Sequence, residues 1–433
     1  MKNTVSIKCD MQKILFAGLA LALVSSTGWT GQLLVPKQIP VPKEYFGMHI
    51  HRALTTTPWP EIEFGSWRLM DAYVSWFSLQ GSPTKWDFKK LDALTHLAKK
   101  NNIELLMPLA FAPQWASAKP NEKGPYGPGS AAPPKDMADW KNYVTKLAKR
   151  YNKTIFGNIN IFEVWNEPNE HGFFSGSQED LLALSKAAYS VIKEVNPANR
   201  MVSPSGVGGK GITWLESYLE KGGSEYADII GFHFYVPSDT PEAMVANIQK
   251  VKTIMSRLGI QNKPLWNTEM GWWIAYEDGT KESTSSVGSD WLKLTPTQGA
   301  AFVSRALILG WAAGLERFYW YAWDNQNMGL IEPTTHKLKP SGQAYGSTLN
   351  WMAGATVKQC AEDKDSVWEC ILTRDKDEQA RIVWTTGSER TYKLPADWKA
   401  SSVTLHYLNG ESKNLAENKV LVSEMPVLIS PSE

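Results

Sequence analysis

The chain has 433 residues, enough for more than one structural unit. Its 45 basic and 44 acidic residues leave a formal net charge of +1, so the composition gives no support for a nucleic acid or another polyanion as partner. The 20 tryptophans are many for this length. Indole rings stack on flat apolar surfaces such as sugar rings and also fill cores, so the surplus indicates either a carbohydrate groove or dense internal packing.

Residues 1–28 have the pattern of a secretory signal peptide. Lys2, Lys8 and Lys13 precede the apolar run Ile14–Val24, and the small residues "SSTG" follow it. The apolar run is too short to span a bilayer. We therefore expect an exported protein, periplasmic or secreted, with no stable membrane insertion. An uncleaved membrane anchor is the alternative.

Residues 40–356 alternate short apolar runs with amphipathic stretches. The eight apolar runs are "YFGMHIH", "SWRLMD", "ELLMPLA", "INIFEVWNE", "RMVSPSG", "IIGFHFY", "PLWNTEMGW" and "RFYWYAW". Stretches such as "DFKKLDALTHLAKKNN" and "SQEDLLALSKAAYSVIKEV" space apolar residues three and four positions apart, as amphipathic helices do. Eight strand–helix units predict an α/β fold, a (β/α)8 TIM barrel. An open doubly wound sheet is the alternative, but no Gly-rich phosphate loop follows the first run.

The pattern changes over residues 357–433. Short β-rich runs such as "SVWECILTR", "ARIVWTT" and "SSVTLHYL" are separated by turns, which predicts a small antiparallel β-sandwich. Its aromatic residues Trp368, Trp384 and Trp398 suit packing better than a binding strip. We therefore expect this unit to support the barrel.

The cysteine pattern fits an exported protein. Cys9 precedes the apolar run and would be removed with the signal, which leaves Cys360 and Cys370 as an even pair. They flank "AEDKDSVWE" between predicted strands, so a disulfide can join the two strands of a hairpin. Two unpaired thiols are the alternative.

Two glutamates fall at the ends of different predicted barrel strands. Glu167 ends the fourth run, and Glu269 lies near the end of the seventh. Side chains at the carboxyl ends of barrel strands point into one shared cleft, so the two carboxylates are expected to meet. Cleavage of a glycosidic bond needs such a pair: one acid protonates the leaving oxygen, and the other attacks the anomeric carbon or activates water. Repulsion between the two would raise the pKa of the acid.

Other polar and aromatic residues at strand ends are candidates to bind substrate or to support the carboxylates. Arg68 carries a planar guanidinium that suits a carboxylate, and His233 and Tyr235 share one face of the sixth strand. His49 and His51 share a face of the first strand. The eighth strand ends with Trp320, Trp323 and Asp324, and one of the two tryptophans is expected to form the floor beneath a sugar ring.

The same region allows other readings. Glu163 lies deeper in its strand than Glu167 and is expected to be an interior residue with a polar partner. Asp71 is expected to be a capping or hydrogen-bonding residue. A metal held by His49, His51 and His233 is an alternative that no closely spaced ligand motif supports, so we expect no metal and no cofactor.

The stretch "FEVWNEPN", with a glutamate in a seventh strand, resembles the clan A retaining glycoside hydrolases and, more narrowly, glycoside hydrolase family 39. That family includes β-xylosidases, α-L-iduronidases and bacterial exopolysaccharide hydrolases. The resemblance implies that Glu167 is the general acid/base and Glu269 the nucleophile. It further implies that Asn166 contacts the sugar 2-hydroxyl, that Tyr235 and His233 support the nucleophile, and that Arg68 keeps it ionised.

Together these features predict a monomeric, exported, retaining glycoside hydrolase whose partner is a polysaccharide or oligosaccharide substrate. Two long connections, 111–134 and 273–294, follow strands and would flank the cleft. They favour endo-action on a bacterial extracellular polysaccharide. An exo-acting β-xylosidase-like enzyme and a non-catalytic carbohydrate-binding protein are the alternatives.

Overall fold

The computed structural model describes residues 32–281, 288, 290–374, 378–398 and 403–432. The predicted signal peptide, with Cys9, lies outside these residues. None of the helices in the described ranges is both long and apolar enough to cross a membrane.

Twelve strands lie in the described residues before the C-terminal unit. They are β1 (Leu33–Leu34), β2 (Phe46–Met48), β3 (Ser66–Arg68), β4 (Glu104–Leu109), β5 (Ile161–Val164), β6 (Arg200–Val202), β7 (Gly206–Val207), β8 (Ile230–His233), β9 (Leu265–Met270), β10 (Trp273–Ile274), β11 (Lys293–Leu294) and β12 (Arg317–Trp320). The helices are α1 (Trp76–Leu79), α2 (Lys89–Lys100), α3 (Met137–Arg150), α4 (Gln178–Val195), α5 (Gly208–Glu220), α6 (Glu242–Arg257), α7 (Pro296–Ala312) and α8 (Pro340–Met352), with 3-10 turns at Lys43–Tyr45 and Gly223–Tyr226.

The parallel sheet closes into a barrel. Its hydrogen-bonding order is β6-β5-β4-β3-β2-β12-β9-β8-β7. The two ends of this order, β6 and β7, are halves of a single barrel strand, and a parallel bridge from Val202 to Ile229 joins β6 to the segment that leads into β8. Eight strand positions therefore surround one core, which confirms the predicted (β/α)8 architecture.

The helices form for the reasons that their sequences indicate. Ser177 accepts the backbone N–H of Asp180, whose side chain accepts the N–H of Ser177, a reciprocal cap that begins α4. Thr295 and Gln298 make the same arrangement at α7, where Pro296 occupies the first turn. The connection between β2 and β3 contains no helix.

The C-terminal unit is antiparallel. Its strands are β13 (Thr356–Glu362), β14 (Val367–Thr373), β15 (Gln379–Thr385), β16 (Arg390–Lys393), β17 (Val403–His406), β18 (Ser412–Asn414), β19 (Lys419–Val422) and β20 (Val427–Pro431). A seven-stranded sheet, in the order β1-β13-β14-β15-β20-β17-β18, packs against the β16–β19 ribbon. The N-terminal β1 thus joins the C-terminal sheet rather than the barrel.

The sandwich supports the barrel through its other face. Trp368 and Trp384 are buried and stack with centroids 5.6 Å apart, and both belong to the core shared with the barrel helices. The indole of Trp384 donates to Glu242 of α6 at 3.1 Å. Cys360 and Cys370 face each other across β13 and β14 and are joined by a disulfide. These contacts confirm a packing role for Trp368 and Trp384.

Candidate active site

Two carboxylates meet at the carboxyl ends of the barrel strands. Glu167 lies three residues beyond the end of β5, and Glu269 lies within the last residues of β9. An oxygen of each carboxylate and a ring nitrogen of His233 all lie within 4.8 Å of one another. The side chains of Glu167 and Glu269 are 12% and 11% exposed, so solvent reaches both only through the cleft. The structure therefore brings together the pair that the sequence places on different strands.

The backbone that carries Glu167 is held in an unfavourable conformation. Trp165 has φ 65° and Glu167 has φ 44°, the left-handed region that costs a residue with a Cβ about 1 kcal/mol or more. Two hydrogen bonds fix it: Trp165 N–H donates to Leu109 O at 2.9 Å, and Glu167 N–H donates to Ser205 O at 3.0 Å. The neighbouring strands thus impose the turn that points the Glu167 carboxyl into the cleft.

Arg68 is the centre of the buried polar network. Its Nη1 donates to Oε2 of Glu269 at 2.8 Å, its Nε to Oε2 of Glu163 at 2.6 Å, and its Nη2 to Oδ1 of Asn166 at 2.7 Å. Glu163 also accepts from Ser205 Oγ at 2.6 Å, so the prediction of an interior residue with a polar partner is confirmed. Because Arg68 is fully buried, it acts on substrate only through these partners.

His49 positions Arg68. Its Nδ1 lies 3.1 Å from the carbonyl oxygen of Trp320, which can only accept, so Nδ1 carries the proton. Nε2 is then free to accept from Nη1 of Arg68 at 3.2 Å. Burial lowers the pKa of His49 well below its ordinary value, which keeps the ring neutral. His49 is fully buried, so its predicted contact with substrate is wrong and its contact with Arg68 replaces it.

Two side chains from the β8 end contact the carboxylates separately. Tyr235 donates its hydroxyl to Oε1 of Glu269 at 3.1 Å. His233 Nδ1 lies 2.8 Å from Oε1 of Glu167 and 4.0 Å from Oε1 of Glu269. Burial lowers the pKa of His233 to about 4, so the ring is neutral near pH 7. His233 therefore supports Glu167 more closely than Glu269, a correction to the role that the resemblance implied.

The environment raises the pKa of both glutamates. Burial is the largest cause in each case and raises the pKa of Glu167 to about 7 and that of Glu269 to about 7. Neighbouring carboxylates contribute less: Glu167 and Asp71 raise the pKa of Glu269, and Glu170, Asp71 and Glu163 raise that of Glu167. Because Arg68 and Tyr235 both donate to Glu269, the negative charge of the pair is best stabilised there. The remaining proton then belongs on Glu167.

A third carboxylate lies in the same cleft. Asp71 lies three residues past the end of β3 and has φ 57°. Its Oδ1 accepts a hydrogen bond from the hydroxyl of Tyr126, and its Oδ2 accepts one from the hydroxyl of Tyr321, each at 2.6 Å. The expectation of a hydrogen-bonding residue is confirmed. Neither tyrosine is among the residues predicted from the sequence. Tyr321 directly follows β12, a strand-end position that could have indicated it, whereas Tyr126 lies deep in a long loop.

The predicted sugar floor is not available. Trp320 is 0% exposed. Its ring centroid lies 6.1 Å from that of Trp272, and its indole N–H donates to Met328 O at 3.1 Å. Trp323 is 2% exposed. Neither ring offers a face to the cleft, so the prediction that one of them lies beneath a sugar is wrong. Tyr321, which lies between these two tryptophans in sequence, is half-buried. Its ring centroid is 5.1 Å from that of His49 in the network of the cleft.

Glu167, His233 and Glu269 are also the one group of three that could hold a cation among the residues that the structure describes. Glu269 already accepts hydrogen bonds from the guanidinium of Arg68 and from the hydroxyl of Tyr235. A metal there would face the guanidinium of Arg68, which disfavours it electrostatically. The arrangement suits proton sharing between two carboxylates better than metal binding.

Sequence comparison with known families gives a match to the model of the glycosyl hydrolases family 39 over residues 63–285, just over half of the chain. A β-xylosidase from Caldicellulosiruptor saccharolyticus is 28% identical over 194 residues, which cover 44% of this chain and 39% of the relative. A β-xylosidase from Geobacillus stearothermophilus is 22% identical over 207 residues, covering 42% and 40%. The match thus spans about two fifths of the length of these curated relatives.

Structural comparison extends the likeness to nearly the whole chain. A family 39 β-xylosidase from Caulobacter crescentus superposes with a TM-score of 0.64 at 17% identity, covering 92% of this chain and 99% of the other. At this identity the superposition speaks for the fold, a barrel with an attached sandwich. The extent of the family match shows the relationship: the chain belongs to the glycosyl hydrolases family 39.

Proposed function

We propose that the protein is a retaining glycoside hydrolase in which Glu167 is the acid/base and Glu269 the nucleophile. The observation that carries this proposal is the short distance between the two carboxylates. An oxygen of Glu167 and an oxygen of Glu269 lie within 4.8 Å of each other. Retaining enzymes hold their carboxyl groups about 5–5.5 Å apart, whereas inverting enzymes leave about 6.5–9.5 Å for a water molecule. The separation of Glu167 and Glu269 supports direct attack of one carboxylate on the anomeric carbon, as in retaining enzymes.

In the first step, Glu269 attacks the anomeric carbon while Glu167 gives its proton to the glycosidic oxygen, which leaves as an alcohol. Arg68 and Tyr235 hold Glu269 ionised through hydrogen bonds to its two oxygens. Neutral His233 contacts Glu167 without supplying a charge that would remove the proton. Arg68 fixes Oδ1 of Asn166, so the amide nitrogen is left as a donor for a sugar hydroxyl.

In the second step, water attacks the anomeric carbon of the glycosyl–enzyme ester and Glu167 accepts the proton. The bond from that carbon to Glu269 breaks, which releases the sugar and regenerates the Glu269 carboxylate. Ester formation removes the charge of Glu269, which otherwise raises the pKa of Glu167 by repulsion across the short separation. The pKa of Glu167 therefore falls at the stage at which it must act as a base. Two inversions at the anomeric carbon give net retention.

We further propose an exported enzyme that cleaves within an extracellular bacterial polysaccharide. The signal-like N-terminus and the two long connections that follow predicted strands support this choice. The exo-acting alternative has its own support, because the curated relatives are named β-xylosidases. The two differ in their products, since endo-cleavage releases oligosaccharides and exo-cleavage releases single sugars.

The test is a panel of bacterial exopolysaccharides (alginate, xanthan, gellan and bacterial cellulose) and plant xylans, incubated with the wild type, Glu167→Gln and Glu269→Gln. Products are sized by chromatography, and their anomeric configuration is followed by proton NMR during the first minutes. Oligosaccharides of retained configuration, absent with both variants, support the proposal. Single sugars favour the exo alternative. Binding without cleavage by the wild type refutes the enzyme and favours a carbohydrate-binding protein.

A further inference from the structure

An aromatic recess of about 300 Å³ lies between the α1 region and the loop that follows β4. Three half-buried rings form its walls: Phe77 of α1, and Trp115 and Tyr126 of the loop that follows β4. Phe77 and Tyr126 are stacked, with centroids 5.6 Å apart and an angle of 19° between the rings. The exposed amide of Gln114 lies at the rim. Aromatic faces with a polar rim suit one sugar ring.

The loop that carries the recess is held in place by its own hydrogen bonds. The indole of Trp115 donates to Gln80 O at 3.0 Å, which fixes the orientation of the ring. Ser117 Oγ donates to Gly129 O at 2.8 Å, and Ala118 N–H donates to Pro133 O at 2.9 Å, so the two halves of the loop are tied together. The walls are therefore formed before any ligand arrives, which limits the entropy lost on binding.

Tyr126 connects this recess to the catalytic pair. One part of its ring lines the recess, and its hydroxyl donates to Asp71, which also holds Tyr321. Burial, together with the charges of Asp71 and Glu269, raises the pKa of Tyr126 far above its usual range, so the hydroxyl stays a donor. Tyr126 thus forms part of the recess and also contacts Asp71 of the cleft.

We propose that the Phe77–Trp115–Tyr126 recess is a second sugar subsite, which binds a pyranose ring of the same polysaccharide whose neighbouring linkage is cleaved. This inference rests on the proposed function and deepens it, because a second subsite predicts how activity depends on the length of the substrate. The aromatic recess then determines how strongly the enzyme prefers long substrates.

The test uses the panel polymer that the wild type cleaves, partially hydrolysed and separated into fractions of two to six sugar residues. We compare kcat/KM for each fraction in the wild type, Trp115→Ala, Trp115→Phe and Trp214→Ala. Trp214 is a half-buried tryptophan of α5, stacked on Tyr218 and absent from the recess, and serves as the matched control. Thermal unfolding of each variant controls for folding.

For Trp115→Ala, we expect kcat/KM for the hexasaccharide to fall about tenfold while that for the shortest cleaved oligosaccharide is unchanged. Trp115→Phe should recover part of the loss, and Trp214→Ala should match the wild type. An equal loss for all lengths, or no loss for any, overturns the subsite while the proposed function stands.

A wild type that cleaves nothing in the panel refutes the proposed function instead. The subsite is then judged by calorimetric titration with hexasaccharide fractions prepared by partial hydrolysis of each polymer in the panel. Binding that Trp115→Ala abolishes and Trp214→Ala retains supports the subsite, and failure of the wild type to bind any fraction overturns it.

Discussion

Arg68 Nη1 donates to Oε2 of Glu269 at 2.8 Å, whereas Glu167 has the neutral ring of His233 at 2.8 Å as its partner. Two carboxylates that lie close together are thereby made unequal. The cationic partner stabilises the ionised form of Glu269, and the neutral partner leaves Glu167 able to keep its proton. The division into nucleophile and acid follows from this difference between two hydrogen bonds.

The first prediction concerns pH. The pair binds one proton near neutrality, because burial raises the pKa of each member to about 7 and Arg68 directs the negative charge to Glu269. We expect kcat/KM to rise with pH as Glu269 loses its proton and to fall above about pH 7 as Glu167 loses its own. A pH profile of the wild type measures both limbs.

The matched comparison is Glu167→Gln with an activated aryl glycoside, whose leaving group needs no protonation. This variant should lose the alkaline limb and keep the acidic one. An alkaline limb that persists in Glu167→Gln would show that another group carries the proton.

The second prediction concerns Arg68. Arg68→Met leaves the buried carboxylates of Glu163 and Glu269 without their cation. We expect the free energy of unfolding to fall by about 3–5 kcal/mol, the usual cost of breaking a buried ion pair on one side. The acidic limb of the pH profile should also move to higher pH, because Glu269 becomes harder to ionise. Urea unfolding and the pH profile measure the two effects.

Arg257→Met is the control for that substitution. Arg257 pairs with Glu216 and Glu220 on the exposed surface of α5 and α6, where ion pairs contribute little. Equal stability losses in the two variants would contradict the central role of the Arg68 network.

Much of this arrangement can be predicted from sequence, for physical reasons. Side chains at the carboxyl ends of barrel strands must converge, so Glu167 and Glu269 could be placed together from the strand order alone. Depth within a strand identified Glu163 as an interior residue, and the structure gives it Arg68 and Ser205 as polar partners.

The rest depends on information that residue patterns do not contain. The position of Trp320 at a strand end suggested that it lies beneath a sugar ring. It is instead packed against Trp272 and Met328, which come from other segments of the chain. Tyr126 reaches Asp71 only because a long loop folds back over the cleft. His233 lies nearer to Glu167 than to Glu269 by only about one ångström. Its Nδ1 is 2.8 Å from Oε1 of Glu167 and 4.0 Å from Oε1 of Glu269.

The third prediction concerns Asp71. Its charge raises the pKa of both Glu167 and Glu269, although burial contributes more. Asp71→Asn removes that charge and keeps a residue that tolerates φ 57°. Because a carboxylate without a negative neighbour ionises more easily, both limbs of the kcat/KM profile should move to lower pH. Tyr321→Phe, which removes one hydroxyl and keeps the charge, should move them much less.

The fourth prediction concerns the disulfide. Cys360 and Cys370 are separated by 10 positions, and closing a loop of this size stabilises the folded state by about 3 kcal/mol in the chain-entropy description. We expect Cys370→Ser to lower the melting temperature and to leave kcat on short substrates unchanged, since the bond lies in the sandwich. A reducing agent should reproduce the shift in the wild type and have no effect on the variant.

The most direct test of the central claim is to trap the glycosyl–enzyme. The wild type is incubated with the 2-deoxy-2-fluoro form of an aryl glycoside that it cleaves, and the protein is digested and mapped by mass spectrometry. We expect one covalent sugar per chain, attached to Glu269 and absent from Glu269→Gln. A sugar attached to another residue, or rapid turnover of the parent glycoside with inverted product and no adduct, would contradict it.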